Sequence, residues 1–509
     1  MFKIFVCFII KLEIFGKVIK MIEMKNVFLF ILISLSSVPS LAQSVDLQED
    51  LTINNLYDSR QGSCALGDID NDGDLDLIIT GPDAILTNDK TTLYSNDGQG
   101  NFTEIIGTGL SAWSEFSDIA FADVDGDDDQ DLLITGRDGS PNFYANFYLN
   151  DGSGNYTLSP SVPFEPSIDG DLEFEDVDND GDQDLFMCGY AEDSSGSPFI
   201  FSKLYLNSDS GVFTEVTSTP FIEGTSAAFL DMDNDNDMDL IVSGSTNNNG
   251  VMTTLYENDG TGNFSLVNNT PFTGVKFSDI STGDSDGDGD TDILLNGMDS
   301  SFQNICELYL NDSAGSFNLL TGTPFLAAQL GTVDFADFDN DNDLDVFVTG
   351  SLGGQNVAAH IYENQGNNNF NLVDSLVQVY NSTTAIGDID GDNDLDMIVT
   401  GIGNLPSTPD PFKPRVYKNM LATTSIEMVH EEAHDNILLY PNPSEGIINI
   451  QIDNTIGTSI KIYNTIGEMV FSEDSLNPNI QIKLNQPPGM YAVVSKTNSS
   501  TSTLRLIIK

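Results

Sequence analysis

The chain has 509 residues, with 79 acidic and 18 basic side chains and a formal net charge of -61. A groove that tracks nucleic-acid phosphates needs Lys and Arg to displace condensed counterions, so that partner class is excluded, and the same charge argues against docking on anionic lipid. Disorder, the other common outcome of extreme acidity, is excluded by 39% hydrophobic residues with 31 Phe and 15 Tyr, enough to build a core.

In chain order, the first feature is a targeting segment. Met24-Lys25-Asn26 precedes an apolar run from Val27 to Leu35, and Ser40-Leu41-Ala42 places small residues at −3 and −1 of a cleavage site. The expected leader is 1–42, with translation starting at Met24 and cleavage after Ala42. The run is too short for a stable bilayer-spanning helix, and no window after 43 is apolar enough, so no transmembrane anchor is expected.

From residue 43 onward one unit is written seven times. Asp-x-Asp-x-Asp-x-Asp-x-Asp begins at Asp68, Asp123, Asp176, Asp231, Asp284, Asp337 and Asp388. An apolar residue, Tyr, one residue and Asn recurs with it, with the ring at Tyr94, Tyr148, Tyr205, Tyr256, Tyr309, Tyr362 and Tyr417. Each unit reads as four strands. An apolar run enters the acidic loop, a second leaves it, the Tyr run is the third, and a Gly-rich turn leads to the fourth. The second runs, such as Leu77-Ile78-Ile79 and Leu240-Ile241-Val242, are continuously apolar, as in strands buried on both faces. Four strands per repeat, seven times, predicts an all-β fold: a seven-bladed β-propeller over 43–420. The seventh unit lacks a fourth strand, and a stray strand-like piece at 45–53 precedes the first. Pairing the two closes the ring and leaves no free sheet edge.

The acidic loops predict metal. Hard divalent cations take six to eight oxygens, and alternate residues of a tight loop wrap them around one ion. The candidate ligands are Asp68, Asp70, Asp72, Asp74 and Asp76; Asp123, Asp125, Asp127, Asp129 and Asp131; Asp176, Asp178, Asp180, Asp182 and Asp184; Asp231, Asp233, Asp235, Asp237 and Asp239. The last three copies add Asp284, Asp286, Asp288, Asp290 and Asp292; Asp337, Asp339, Asp341, Asp343 and Asp345; Asp388, Asp390, Asp392, Asp394 and Asp396. Position 7 is expected to offer its backbone carbonyl. Position 6 is Gly, Asn or Asp throughout, the types that tolerate a left-handed backbone. Without a cation, carboxylates crowded within about 5 Å repel by roughly 1–3 kcal/mol per pair. Oxygen-only ligands select Ca2+, up to seven ions, over Zn2+ or Cu2+.

Gly67-Asp68-Ile69-Asp70-Asn71-Asp72-Gly73-Asp74-Leu75-Asp76-Leu77 and its six counterparts resemble the FG-GAP/VCBS repeats of integrin alpha subunits and many bacterial surface proteins. The resemblance implies calcium between the first and second strands of each blade, and binding or adhesion rather than catalysis. All seven loops are complete here, whereas integrin-like propellers carry them in only some blades.

Residues 421–436 read as a polar linker, and 437–509 as a small Ig-like β-sandwich of short alternating strands. Leu439-Tyr440-Pro441-Asn442-Pro443, Ile462-Tyr463-Asn464-Thr465-Ile466-Gly467 and Gly489-Met490-Tyr491 resemble the sorting domain of the type IX secretion system. The resemblance implies engagement of that machinery through 437–509. It also implies release outside the cell or anchoring on the outer-membrane surface of a Gram-negative bacterium.

With the acidic loops crowding one face of the ring, recognition is expected on the other, through an extracellular glycan or protein ligand. Trp113, Tyr144, Tyr190 and Phe302 are the aromatic candidates, either for stacking on a sugar or as caps of their own blades. Ser63, Asp118, Asp171, Ser226, Asp279, Thr332 and Thr383 stand five residues before the loops, as strand-start caps or as a ring around the channel mouth. Cys64, Cys188 and Cys306 fall in different blades and read as unpaired fillers. No nucleophile elbow, Zn-binding His pair or phosphate loop occurs. An Asp/Glu glycosidase or a lyase acting on polysaccharide stands as the alternative, and a passive structural surface protein as the second.

Overall fold

The computed structural model describes residues 44–421, apart from positions 54, 84–87, 114, 139–141, 161, 209–210, 313, 355 and 404–409, together with strands within 437–508. The expected leader and the linker beyond 421 lie outside the described residues. Two compact units result, 1–421 and 422–509, and every element described in either is a strand.

The first unit is a seven-bladed propeller of antiparallel sheets. First strands are Cys64–Gly67, Asp118–Ala122, Ile168–Glu175, Ser226–Leu230, Val275–Gly283, Val333–Ala336 and Thr384–Gly387. Second strands are Asp76–Pro82, Asp131–Arg137, Asp184–Glu192, Asp239–Ser245, Asp292–Asp299, Asp345–Gly353 and Asp396–Val399. Their apolar runs are fully buried, with Leu77, Ile78 and Ile79 all at 0% exposure, as their unbroken hydrophobicity requires. Each leaves its apolar run through a glycine, from Gly81 to Gly401, with φ between +126° and +146°. An L side chain rarely adopts that region, and at Gly81 a Cβ would also lie 3.0 Å from the Gly62 backbone.

The first strand pairs with the last blade. Leu47–Glu49 pairs antiparallel with the third strand of blade 7, Leu47 opposite Asn419 and Glu49 opposite Tyr417. Backbone pairing therefore ties the start of the propeller to its end and covers what would otherwise be an open edge. Arg415 adds an ion pair to Glu49 across the same seam.

Some hairpins differ from expectation. Gly189 to Phe201 reads as a loop in sequence, yet Asp184–Glu192 and Pro198–Leu206 pair along their whole length, with Tyr190 opposite Ile200. Phe199, Ile200 and Phe201 carry the strand pattern, and five residues remain for the turn. In blade 6 the fourth strand is long, Phe370–Tyr380, and its end pairs with Ile402–Gly403 of blade 7.

The second unit is a β-sandwich. Ile437–Tyr440, Ile447–Ile452 and Asn479–Lys483 form one sheet; Met469–Asp474, Ser459–Asn464, Gly489–Lys496 and Thr501–Ile508 form the other. Ile448, Ile450 and Ile482 of the first pack with Ile460, Ile462, Tyr491, Val493 and Leu506 of the second, one shared core from two inner faces.

Candidate metal centres and the opposite face

Each acidic loop is wound by its own carboxylates. Asp68 accepts the N–H groups of Asp72 (3.1 Å) and Gly73 (3.0 Å), and Asp72 accepts that of Asp74 (3.1 Å). The same three bonds recur in all seven copies. Position 6 has φ between +67° and +98° in every loop, in line with its Gly, Asn and Asp content. Position 4 (Asn71, Gly126, Asn179, Asn234, Gly287, Asn340 and Gly391) is also left-handed, at +55° to +77°, which sequence reasoning missed. Its restriction to Asn and Gly was the available signal.

Position 9 is a buried staple. Asp76 is 1% exposed and accepts Ile69 N–H (3.2 Å) within its loop and Asn96 N–H (2.7 Å) from the third strand. All seven copies repeat the pair. The Asn of the Tyr mark then reaches sideways: Asn150 Nδ2 donates to Ile69 O of the preceding blade (2.9 Å), and Asn96 Nδ2 to Ile389 O (2.7 Å) closes the circle. The other five blades do the same. The Tyr hydroxyl accepts a backbone N–H from the connection entering its own blade, as Tyr148 does from Ser111 (3.1 Å). Seven Tyr make this bond. The Asp and Tyr of the two sequence marks thus fasten each blade internally, and the Asn joins it to the blade before.

The first, third and ninth carboxylates converge. Oxygens of Asp68, Asp70 and Asp76 lie within 4.8 Å of one another, as do those of Asp176, Asp178 and Asp184, of Asp231, Asp233 and Asp239, and of Asp284, Asp286 and Asp292. In blade 2 the group is Asp123, Asp125 and Asp127, and two further groups exist. Burial first, then neighbouring carboxylates, raises Asp70, Asp125, Asp178, Asp233 and Asp286, and takes Asp339 to about 7. Burial also raises the ninth-position carboxyls against their hydrogen bonds, to about 7 for Asp76, Asp131, Asp184, Asp239 and Asp396, about 6 for Asp292 and about 8 for Asp345. The deciding observation is at position 3. One oxygen each of Asp70, Asp125, Asp178, Asp286 and Asp339 is buried with no hydrogen-bond donor. A buried, unsatisfied carboxylate oxygen beside other carboxylates is costly, and a hard cation is the group that satisfies it. These residues can hold a metal ion. Position 7 divides: Asp129, Asp237 and Asp290 accept the amide of Asn71, Asn179 and Asn234 from the preceding blade, whereas Asp394 of blade 7 keeps both oxygens buried without a donor, beside Asp392.

At the other end of the first strands an axial cavity of about 420 Å3 opens, lined by residues of all seven blades. Asp118, Asp171, Ser226, Asp279, Thr332 and Thr383 line it, whereas in blade 1 Gln61 and Gly62 do so in place of Ser63. They cap strands as well: Asp171 accepts Ala227 N–H (3.0 Å) and Asp279 accepts Val333 N–H (2.8 Å), satisfying the inner edge of the next blade. Burial, then mutual repulsion, pushes Asp118, Glu173 and Asp279 well up, and burial takes Asp171 and Asp334 to about 6. A carboxyl raised on folding disfavours the fold once ionised, so this cluster weakens the propeller as pH rises from about 4 through 6.

A collar surrounds the mouth. Gln61, Phe116, Asp169, Phe277, Leu330 and Asn381 all have positive φ, from +44° to +61°. Phe116 N–H donates to Gln61 O (2.8 Å), Asp169 to Phe116 (3.1 Å), Leu330 to Phe277 (3.0 Å) and Asn381 to Leu330 (2.7 Å). Phe and Leu are rare in this region, so the blade-to-blade bonds hold them there.

The aromatic candidates separate. Trp113 is 1% exposed and packs edge-on against Tyr144 at 6.0 Å, so it is a core residue with no ring face for a ligand. Tyr144 serves the same cluster. Tyr190 lines the axial cavity and a neighbouring cleft, and Phe302 is 72% exposed. Cys64, Cys188 and Cys306 are free thiols. Among the described residues no helix is long and apolar enough to cross a membrane.

The FG-GAP-like repeat family matches residues 68–134, 123–187, 176–242, 231–295 and 337–399, stretches that contain all seven acidic loops. The secretion system C-terminal sorting domain matches 438–509. No curated protein matches the chain. Among solved structures it is similar to a fungal alcohol oxidase of the AA5 family in complex with copper (10% identity, TM-score 0.47, covering 92% of this chain and 100% of that one). It is also similar to PorZ, a surface component of the type IX secretion system of Porphyromonas gingivalis (14%, 0.38, 85% and 58%), and to the Aleuria aurantia lectin with a fucoside (11%, 0.37, 62% and 95%). The chain belongs to the FG-GAP-like repeat family, and its sorting domain assigns it to type IX export, to the cell surface or the extracellular space.

Proposed function

We propose that the protein is a calcium-loaded surface propeller that binds a glycan on the face opposite its metal loops. The observation that carries this reading is the division of labour between the two faces. One face is occupied by seven loops interlocked through Asn amides. The other collects the axial cavity, a second cleft and the exposed Phe302. Aromatic rings and buried carboxyls around a concave mouth suit sugars, whose C–H faces stack and whose hydroxyls donate. A glycan array probed with the full chain in calcium tests it: selective retention of a carbohydrate class is expected. Retention of protein ligands alone, or release of sugar products, would replace it with an adhesin or an enzyme.

Calcium would be held at the first, third and fifth carboxylates, with the ninth supporting the loop, and it would supply the positive charge that the orphaned position-3 oxygens need. The seven sites are not equal. The residue between Tyr and Asn neighbours position 3, and in blade 7 it is Lys418, whose ammonium lies 3.2 Å from Asp390 and 2.7 Å from Gln99 O. In blades 4 and 6 it is Glu257 and Glu363, which add negative charge near Asp233 and Asp339. Blade 7 is therefore expected to bind calcium most weakly. In a calcium titration by calorimetry Lys418→Leu should bring the seventh site into the range of the others, and an unchanged isotherm would count against this ranking.

A further inference from the structure

A cleft of about 270 Å3 lies between the hairpins of blades 3 and 4, beside the axial mouth. Tyr190 and Phe199 come from blade 3, Thr246 and Asn249 from blade 4, and Lys276 from the first strand of blade 5. Among the described residues no carboxylate lines it, in a chain of net charge -61. The propeller carries eight Lys and Arg, and five of them (Lys90, Arg137, Lys203, Arg415 and Lys418) sit within 4 Å of a carboxylate. Lys276 is not among them. Its ammonium stands 5.3 Å from the Phe277 ring centroid and 5.2 Å from that of Phe302, a position that aromatic faces hold without neutralising.

We infer that this cleft takes one anionic pyranose of a glycan, its charged group on Lys276 and its ring against Tyr190 and Phe199. The inference rests on the glycan-binding reading and names the sugar class. Charge complementarity carries it. The surrounding protein repels anions, so a negatively charged ligand gains from this site only where a cation is left without a carboxylate. The cavity is slightly smaller than drug-sized pockets, which limits it to about one ring. It is also preorganised: Asn247 accepts Ile200 N–H (2.8 Å) and donates to Ile200 O (2.9 Å), clamping the two hairpins together as a strand pair would. The Thr246 hydroxyl and the Asn249 amide line the cleft and offer donors and acceptors to sugar hydroxyls. The shared chemistry of a uronate carboxylate and a sugar sulfate is one negative charge on a pyranose ring, and a single ammonium serves either.

Calorimetry on the full chain in calcium, with a uronate trisaccharide, its sulfated counterpart and the neutral trisaccharide, tests the assignment. At least one anionic sugar is expected to bind more tightly than the neutral one, with affinity falling as salt rises. Whichever anion binds better identifies the source of the charge. Lys276→Gln is expected to cost that sugar roughly 10-fold or more, as loss of a charge-assisted hydrogen bond does. The same variant should leave neutral-sugar affinity and the melting temperature unchanged, and Lys413→Gln should change nothing. Preference for the neutral sugar, or an unaffected Lys276→Gln variant, overturns the inference and leaves glycan binding standing. Binding of none of the three, with an empty glycan array, removes both.

Discussion

Chelation of calcium is expected to lower the melting temperature of the propeller by on the order of 20 °C. A ligand that binds only the native state adds about 2.7 kcal/mol per site at 100 times its Kd, so seven sites approach ~19 kcal/mol. Extracellular loops have Kd values of ~10⁻⁴ M or weaker, so about 10 mM calcium is needed to reach that limit. A domain of this length has an unfolding entropy of roughly 0.8 kcal/mol/K, which converts the sum into the expected shift. The observed geometry supports the large value. Five position-3 oxygens are buried without donors, and in six of seven loops burial and neighbouring carboxylates raise the position-3 carboxyl. An uncompensated loop therefore holds stored repulsion that a bound cation removes without protonating the carboxylates. Differential scanning calorimetry with EDTA, then with calcium restored, measures the effect. Coincident transitions under the two conditions would overturn the metal reading for all seven loops together.

The repeat made most of the fold legible, because two independent marks recurring with a common spacing leave few architectures. The marks did not disclose their own role. That Asn150 bonds Ile69 O, 81 residues away, depends on how two blades sit side by side, which no single unit encodes. The collar was invisible for a related reason: Gln61, Phe116, Asp169, Phe277, Leu330 and Asn381 share a backbone conformation but no side-chain chemistry. Their φ is imposed by the neighbouring blade rather than chosen by residue type. Trp113 shows the converse. A lone Trp in a connection invites a binding role, yet its bulk fills the seam between blades 1 and 2, among Ile78, Leu93 and Ile134. Lys276 carried no periodic signal at all. Its interest comes from its surroundings: among the described residues no carboxylate lies within ion-pair reach.

Asp345→Ala is expected to destabilise the propeller by about 3–5 kcal/mol even in EDTA, which separates the staple from the metal site. Asp345 is 0% exposed and accepts Phe338 N–H at 3.0 Å and Asn364 N–H at 2.8 Å. Removing the carboxylate strands two buried donors, each costing roughly 1–3 kcal/mol, and opens a small cavity beside them. Burial raises this carboxyl to about 8, so without a cation most of it is protonated at neutral pH, and the oxygen that carries the proton accepts its N–H less strongly than a carboxylate would. That trims the penalty toward the lower figure without removing it. Two residues away, Asp343 is half-buried and accepts none of the loop's backbone N–H bonds described above, so Asp343→Ala should stay within about 0.5 kcal/mol in EDTA. Asn364→Ala breaks the amide bridge to Ser285 O and is expected to be non-additive with Asp345→Ala, since both act on one network. Urea titrations of the three variants in EDTA and in calcium give the comparison. Equal stability of the Asp345 and Asp343 variants in EDTA would mean that position 9 acts only as a ligand. A gap that persists without calcium makes it the residue that fastens each loop to its own blade, with the metal added to a frame already built.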